Sequence, residues 1–150
     1  MALSTTQIQN AYVAFFNRPA DVAGLTYWGN YAGSAGDLLN TFAQSAEYNA
    51  LYKGMNNTQL VNAVYQNLFG RSPDVDGLNY WVSQLDSGKV TIGNAANTIQ
   101  TGAQGTDKSI IDNKVAAATA FTTALDTTAE IVGYAGASSA TLGQVKAWLS

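Results

Sequence analysis

The sequence predicts an all-α protein made of two related helical units and a C-terminal helical segment. Apolar residues recur at helical spacing along most of the chain, and no segment alternates between apolar and polar residues as a half-buried strand does. The first two thirds of the chain also contain an internal repeat. We therefore expect one compact multi-helix domain with roughly seven to nine short helices, divided into residues 4–52, 57–104 and 106–150.

A shift of 53 residues aligns the two units with each other. Residues 5–28 then lie over residues 58–81, and ten of these 24 positions are identical. Arg18 and Arg71, the two arginines of the chain, occupy matching positions, and each has a proline within two residues. Agreement at this level indicates that the two units arose by duplication.

The first helix of each unit begins at a predicted N-cap. Ser4 or Thr5 is the expected cap in the first unit, because short polar side chains accept hydrogen bonds from the free N–H groups of the first turn. Asn57 or Thr58 takes this place in the second unit. That helix is expected to end before Gly70, since a glycine commonly follows the last helical turn.

Asp21 and Asp74 are expected to cap the second helix of each unit. The apolar sides of these helices carry Trp28 and Trp81, and we expect both indole rings to be largely buried, because large aromatic side chains form much of a small core. Apolar residues at helical spacing then predict a third helix in each unit. These residues are Leu38, Leu39 and Phe42 in the first unit and Ile92, Ala95, Ala96 and Ile99 in the second.

The C-terminal segment is predicted to contain a long helix and a short closing helix separated by a loop. Residues 133–139 are rich in Gly, Ala and Ser, which indicates the loop. Apolar residues at helical spacing mark the helices on either side. They are Ile111, Val115, Ala118 and Leu125 in the long helix and Leu142, Val145, Trp148 and Leu149 in the short one.

The chain carries few charges and many uncharged polar groups. Only 11% of the residues are charged, the net charge is −3, and 47 residues are Ser, Thr, Asn or Gln. Seven basic residues do not make the basic surface that binding to a phosphate backbone requires, which argues against nucleic acid as a partner. Amides and hydroxyls instead suit hydrogen bonds to sugars, or packing within a dense protein array.

The residue types needed for most catalytic and metal sites are missing. The chain contains neither histidine nor cysteine, which excludes His-dependent triads, thiolate nucleophiles and the commonest zinc ligands. Glu47 and Glu130 are its two glutamates, and the aspartates mostly precede helices or lie in loops, which argues against the paired carboxylates of a glycosidase. We therefore expect a non-enzymatic protein with no catalytic residues and no cofactor in this domain.

Membrane insertion and cleavable secretion signals are not predicted. No run of about 18 apolar residues occurs, so we expect no transmembrane segment. The first residues lack a basic region followed by an apolar one, so no cleavable N-terminal signal is expected. A cytosolic protein and a protein exported through an uncleaved C-terminal signal would share these features.

Residues 70–81, Gly-Arg-Ser-Pro-Asp-Val-Asp-Gly-Leu-Asn-Tyr-Trp, form the most specific motif. The motif resembles the Gly-Arg-x-Pro-Asp-x-x-Gly-x-x-Tyr-Trp signature of a widespread bacterial domain of unknown function, found in S-layer, RTX-type and other secreted proteins. Residues 42–48 resemble a Phe-x-x-Ser-x-Glu-Phe/Tyr element of the same family, and residues 113–122 resemble a stretch that often follows its repeats. The second unit lacks the Ser-x-Glu-Tyr sequence at residues 102–105, so we expect it to have lost whatever that element does.

We interpret the shared signature residues as structural, and sugar stacking on either tryptophan as the weaker alternative. The two arginines can pair with a carboxylate or bind helix-end carbonyls without any ligand. Asp74 and Asp76 invite comparison with a calcium loop, but no late bidentate glutamate follows Gly77, so no metal site is expected here. The signature residues are Arg18, Asp21, Gly24, Tyr27, Trp28, Arg71, Asp74, Gly77, Tyr80 and Trp81.

The resemblance implies an extracellular, cell-surface location. It implies export by a type I route, with this domain as the N-terminal part of a longer protein and calcium-binding repeats possible in the wider protein. It further implies that the domain anchors an S-layer-like protein to lipopolysaccharide or another surface polysaccharide. The alternative is a self-assembly module that binds copies of itself in a lattice or filament.

The candidates for a glycan-binding surface are four tyrosines outside the strongest apolar stripes. A tyrosine ring can stack on a sugar while its hydroxyl forms a hydrogen bond. We expect these side chains to be exposed and to form a saccharide platform. They are Tyr31, Tyr48, Tyr52 and Tyr134.

Overall fold

All regular secondary structure in the described residues is helical, which confirms the predicted all-α fold. The computed structural model describes residues 2–135 and 139–150. Ten helices lie in this part of the chain, slightly more than the sequence predicts. In chain order they are α1 (Thr5–Phe16), α2 (Val22–Gly29), α3 (Ala35–Phe42), α4 (Ala46–Tyr52), α5 (Asn57–Phe69), α6 (Val75–Asp86), α7 (Ile92–Thr101), α8 (Gly105–Ala124), α9 (Thr128–Ala135) and α10 (Ser139–Leu149).

The helices of the two units correspond in order. The first three helices of the first unit, α1, α2 and α3, match α5, α6 and α7 of the second. Two pairs of equivalent helices face each other, since α1 packs against α5 and α3 packs against α7. Helix α2 lies beside α1 and α6 beside α5. Helix α4 has no counterpart, since the second unit passes directly from α7 to α8. The sequence did not predict α4 or α9 as separate helices.

The N-caps of α1 and α5 are built in the same way. Ser4 caps α1 as predicted, and its side chain and backbone form reciprocal hydrogen bonds with the glutamine three positions on. Asn56 caps α5 through the same pair of bonds with Gln59. The expected cap at Asn57 or Thr58 is therefore wrong by one or two residues. Asn56 prevails because it stands three residues before a glutamine, which completes a capping box.

Helices α1 and α5 also end at equivalent residues. Asn17 follows α1 with a φ of 48°, and Gly70 follows α5 with a φ of 69°. Both angles lie in the left-handed region, which glycine adopts freely and asparagine tolerates better than most residues. Asn17 thus makes the same turn with which the glycine of the motif ends a helix.

Helices α3 and α7 approach each other closely at two glycines. A Cβ atom at Gly36 would come within 2.7 Å of the Asn94 side chain, and one at Gly93 would contact the backbone and side chain of Asn40. Asn40 also accepts a hydrogen bond from the Thr91 hydroxyl at 2.6 Å. The pairing of the two third helices therefore depends on the missing side chains of Gly36 and Gly93.

Helix α8 joins the two units by packing against both α1 and α5. At this contact the amide of Gln9, a fully buried side chain on α1, donates to Thr122 Oγ1 on α8 at 3.0 Å. The side-chain carbonyl of Gln9 accepts from the backbone N–H of Ala20 at 2.9 Å. One buried side chain thus connects α1 with α8 and with the turn that precedes α2.

The predicted loop over residues 133–139 is only partly covered by the structure. Residues 136–138 lie outside the described residues. On one side α9 continues to Ala135, and on the other α10 begins at Ser139. The described part of the predicted loop is therefore helical. The long helix predicted before it corresponds to α8, with Leu125 as the residue that follows its last turn.

Candidate functional site

The four tyrosines that the sequence suggests for saccharide binding are not exposed. Tyr48 and Tyr134 are 9% and 7% exposed, and Tyr31 and Tyr52 are half-buried. The prediction of an exposed platform made of these residues is therefore wrong. The physical reason is that Tyr48 and Tyr52 lie on α4 and Tyr134 lies on α9, two helices that fold their aromatic side chains inward.

Three of these tyrosines contact the core as follows, and the fourth, Tyr31, packs its ring edge-on against Trp28 with centroids 5.3 Å apart. Tyr48 packs edge-on against Phe15, with ring centroids 5.2 Å apart. The hydroxyl of Tyr52 donates to the backbone carbonyl of Phe15, and that of Tyr134 donates to the carbonyl of Pro19 at 2.6 Å. Burial raises the pKa of all three phenols, and that of Tyr52 to about 12. These tyrosines therefore belong to the core and its hydrogen bonds.

Arg18 forms a buried ion pair with Glu47. Nε and Nη2 of Arg18 donate to the two carboxylate oxygens at 2.8 and 2.7 Å, and only 8% of the arginine is exposed. Nη1 donates to the carbonyl of Pro19 at 2.9 Å. Burial alone would lower the pKa of the Arg18 guanidinium, but the hydrogen bonds and charge of Glu47 raise it above its ordinary value. The pair holds the start of α4 against the turn before α2.

Arg71 forms the equivalent pair with a residue from another helix. Its Nε and Nη2 donate to the carboxylate of Asp107 at 2.9 and 2.6 Å, and these bonds lower the pKa of Asp107. Asp107 lies in the first turn of α8. The expectation that the second unit has lost the function of the Ser-x-Glu-Tyr element is therefore wrong for the arginine contact. This pair is more open, with the Arg71 side chain 41% exposed against 10% for that of Arg18.

The two signature aspartates behave differently. Asp21 caps α2 as predicted, because its carboxylate accepts a hydrogen bond from the N–H of Gly24. Asp74 occupies the same position before α6 but makes no side-chain bond to the helix. Its side chain is 92% exposed and approaches Arg71 at 3.9 Å. The predicted cap at Asp74 is therefore wrong in its bonding, because the carboxylate lies in solvent on the side of the Arg71 guanidinium rather than over the helix N-terminus.

Because they lack a side chain, the signature glycines leave room for a tyrosine from the preceding helix. The hydroxyl of Tyr12 lies where a Cβ atom of Gly24 would stand. The hydroxyl of Tyr65, the equivalent residue, is 3.8 Å from a Cβ placed at Gly77. The first helix of each unit thus rests against the second through a tyrosine, more tightly in the first unit.

The paired tyrosines and tryptophans of the signature are more exposed than predicted. Trp28 and Trp81 are half-buried and pack against the core. Tyr27 and Tyr80 are 67% and 56% exposed. In each pair the two rings meet edge to face, with centroids 4.7 Å apart for Tyr27 and Trp28 and 4.9 Å apart for Tyr80 and Trp81. The structure therefore presents an exposed phenol at the same place in both units.

A groove of about 660 Å³ opens on α2 beside Tyr27. Its lining carries no charged side chain, and Thr26, Tyr27 and Asn30 within it are exposed. A flat ring flanked by a hydroxyl and an amide suits an uncharged polar ligand, which can stack on the ring and form hydrogen bonds beside it. The lining residues are Ala23, Thr26, Tyr27, Asn30, Tyr31 and Ala32.

Within residues 2–135 and 139–150, no group of three or more acidic side chains is arranged to hold a metal ion. Of the helices that the structure describes, none is both long enough and apolar enough to cross a bilayer.

One segment of the chain is similar to a known domain family. The chain matches no curated protein and no solved structure. A family model described as "Domain of unknown function (DUF4214)" matches residues 39–101. This segment runs from within α3 to the end of α7 and includes the complete signature of residues 70–81. Somewhat less than half of the chain is therefore similar to a domain family whose description assigns no function.

Proposed function

We propose that this domain is a non-enzymatic glycan-binding module at the bacterial cell surface. It would attach a secreted, S-layer-like protein to lipopolysaccharide or another surface polysaccharide. The observation that carries the proposal is the exposed ring of Tyr27 beside the uncharged groove on α2. The secreted setting, with type I export and calcium-binding repeats elsewhere, is supported by the resemblance of the signature to repeats of S-layer and RTX-type proteins.

The groove offers the two kinds of contact that a sugar ring makes. The C–H face of a sugar can stack on the ring of Tyr27, and its hydroxyl groups can bond to the polar side chains beside that ring. The hydroxyl of Thr26 donates to the carbonyl of Val22, and the side-chain amide of Asn30 donates to the carbonyl of Thr26. The side-chain oxygen atoms of both residues can still accept hydrogen bonds from a ligand. A neutral sugar with several hydroxyl groups therefore fits this surface better than an ion does.

The basic side chains give little support to a ligand held by charge. Within the described residues, three of the seven pair with carboxylates and a fourth donates to a backbone carbonyl, which leaves less positive charge free for a phosphate. We therefore favour the sugars of a polysaccharide over the phosphates of lipid A. The four internal contacts are those of Arg18 with Glu47, Arg71 with Asp107, Lys108 with Asp112, and Lys114 with the carbonyl of Asn67.

Binding to lipopolysaccharide with and without its O-polysaccharide tests the proposal. The purified domain should bind the complete form, and Tyr27→Ala should weaken binding about tenfold, because an aromatic contact contributes about 0.5–1.5 kcal/mol beyond the area that it buries. Val132→Ala also shortens an exposed apolar side chain, 63% exposed on another helix, and should bind as the parent does. Binding should persist near 1 M salt, where the Debye length is only about 3 Å.

Two outcomes would contradict a glycan anchor. One is equal binding to lipopolysaccharide that lacks the O-polysaccharide, and the other is loss of binding at high salt. Sedimentation of the same samples addresses the alternative of a self-assembly module. Oligomers that form without polysaccharide, together with unchanged attachment by Tyr27→Ala, would favour that alternative.

A further inference from the structure

We infer that the second unit carries a second glycan-binding site, centred on Tyr80 of α6, and that the domain is therefore bivalent. The inference rests on the proposed function, since it assigns the same class of ligand to another surface. Tyr80 is 56% exposed, and its ring meets Trp81 in the same edge-to-face arrangement in which Tyr27 meets Trp28. Two copies of one aromatic arrangement are thus open to solvent.

The helix face around Tyr80 carries polar residues at the positions equivalent to the groove lining, although the residue types differ. Asp76 lies one turn before Tyr80 and Ser83 one turn after it, so all three share a face of α6. These two residues and Asn79 are exposed, and each offers a carboxylate, hydroxyl or amide oxygen. The matched pairs under the 53-residue shift are Ala23 with Asp76, Thr26 with Asn79, and Asn30 with Ser83.

Packing in the core does not explain why both units have a tyrosine at this position. The two units differ at more than half of the aligned positions, and several shared residues have a structural role that is visible in both copies. Arg18 and Arg71 bind carboxylates, for example. Tyr27 and Tyr80 instead leave more than half of each side chain in solvent. A binding role explains their presence in both units better than packing does.

The two sites are separate and unequal. Helix α2 packs against α1 and α9, whereas α6 packs against α5, so the two tyrosines lie on helices with different neighbours. Asp76 stands where the first site has Ala23, and its carboxylate accepts hydrogen bonds from sugar hydroxyls but repels acidic sugars. The second site should therefore take neutral or amino sugars. Two sites on one domain raise the apparent affinity for a repeating polysaccharide without any new contact.

Calorimetric titration with a short oligosaccharide tests the inference. The probe is a fragment of a few sugars, released by mild acid from the lipopolysaccharide of the producing bacterium and too short to reach both helices. The parent domain should bind two fragments. The variants Tyr27→Ala and Tyr80→Ala should each bind one fragment, and the double variant should bind none. Val132→Ala, which shortens a side chain 63% exposed on α9, should still bind two. On a sensor coated with the intact polysaccharide, either single variant should lose at least tenfold in apparent affinity.

The outcomes separate this inference from the proposed function. A stoichiometry of one that Tyr27→Ala abolishes and Tyr80→Ala leaves unchanged would overturn the second site while the proposed function stands. Binding that neither substitution alters would overturn both. Melting temperatures show whether each variant folds, and Tyr80→Phe, which keeps the stacking ring, should retain two sites. A stoichiometry of one in Tyr80→Phe would show that the ring is not the basis of the second site.

Discussion

Replacing Glu47 with glutamine should destabilise the domain strongly, because it removes the charge that faces a buried arginine. Glutamine matches glutamate in size, so the change is one of charge. Arg18 is 8% exposed and directs Nε and Nη2 at the carboxylate. Removing one partner of a buried ion pair costs about 3–5 kcal/mol. The Glu47 side chain retains 30% exposure, so water reaches the pair and we expect a value near the lower end, about 3 kcal/mol.

The second unit supplies the matched control for this substitution. Asp107→Asn makes the same chemical change opposite Arg71, whose side chain is 41% exposed. Exposed ion pairs contribute only about 0–1 kcal/mol. For a domain of this size 1 kcal/mol corresponds to about 2–4 °C. We therefore expect Glu47→Gln to lower the melting temperature by about 6–12 °C, and Asp107→Asn by at most about 4 °C.

Urea unfolding followed by circular dichroism and by tryptophan fluorescence measures both free energies of unfolding. Coincident transitions from the two signals would justify a two-state treatment. The difference between the variants should then be about 2–3 kcal/mol. An equal loss of unfolding free energy in the two variants would refute the reasoning. It would show that the stabilisation by each ion pair does not depend on how deeply its arginine is buried.

Three further predictions use differences between the two units or the burial of tyrosines. Gly24→Ala should lower the free energy of unfolding by about 1–3 kcal/mol, because the added methyl group would meet the buried hydroxyl of Tyr12. Gly77→Ala has room for its methyl group and should be neutral or stabilise the domain by up to about 1 kcal/mol. Thermal unfolding measures the stability of both variants. Asp21→Ala should cost about 0.5–2 kcal/mol through the lost cap, and Asp74→Ala less than about 0.5 kcal/mol, in the same assay. Above pH 10 the unfolded chain loses phenolic protons that the folded chain keeps, on Tyr52 up to a pKa of about 12. The folded state then binds more protons, so stability should fall as pH rises from 10 to 12, and phenolate absorbance should increase together with unfolding.

The helical order of the domain could be predicted because its signals are local. Apolar spacing and the repeat of residues 5–28 over 58–81 gave the all-α class and most helix positions. Helix α4 was missed because it has seven residues, too few for a periodic pattern to stand out. Its start was nevertheless signalled by Ser45, which caps the helix through the N–H of Tyr48. Short helices of this kind depend on tertiary contacts, which a single sequence does not display.

Of the four tyrosines predicted for the candidate site, one, Tyr31, lines the groove, and the exposed ring of the groove was not among them. Tyr27 and Trp28 are consecutive, and consecutive residues on an α-helix point about 100° apart. On α2 and α6 no residue is completely buried, so only the tryptophan of each pair packs against the core while the tyrosine beside it lies in solvent. Apolar spacing alone does not show which helices lie this close to the surface, so it did not identify Tyr27 and Tyr80 as the exposed rings. The burial of Tyr48 and Tyr134 could not be foreseen in this way, because it depends on how α4 and α9 pack.

The two arginines show that two related units can make the same contact with carboxylates from different elements. Glu47 lies in the first turn of α4 and Asp107 in the first turn of α8, where the free N–H groups of a helix favour a carboxylate. The second unit has no α4, yet Arg71 forms the same bidentate pair with a carboxylate from α8, the next helix of the chain. Residues 39–101 contain Arg71 without Asp107, so this segment cannot form the ion pair by itself. Helix α8 therefore completes the second unit as well as joining it to the first.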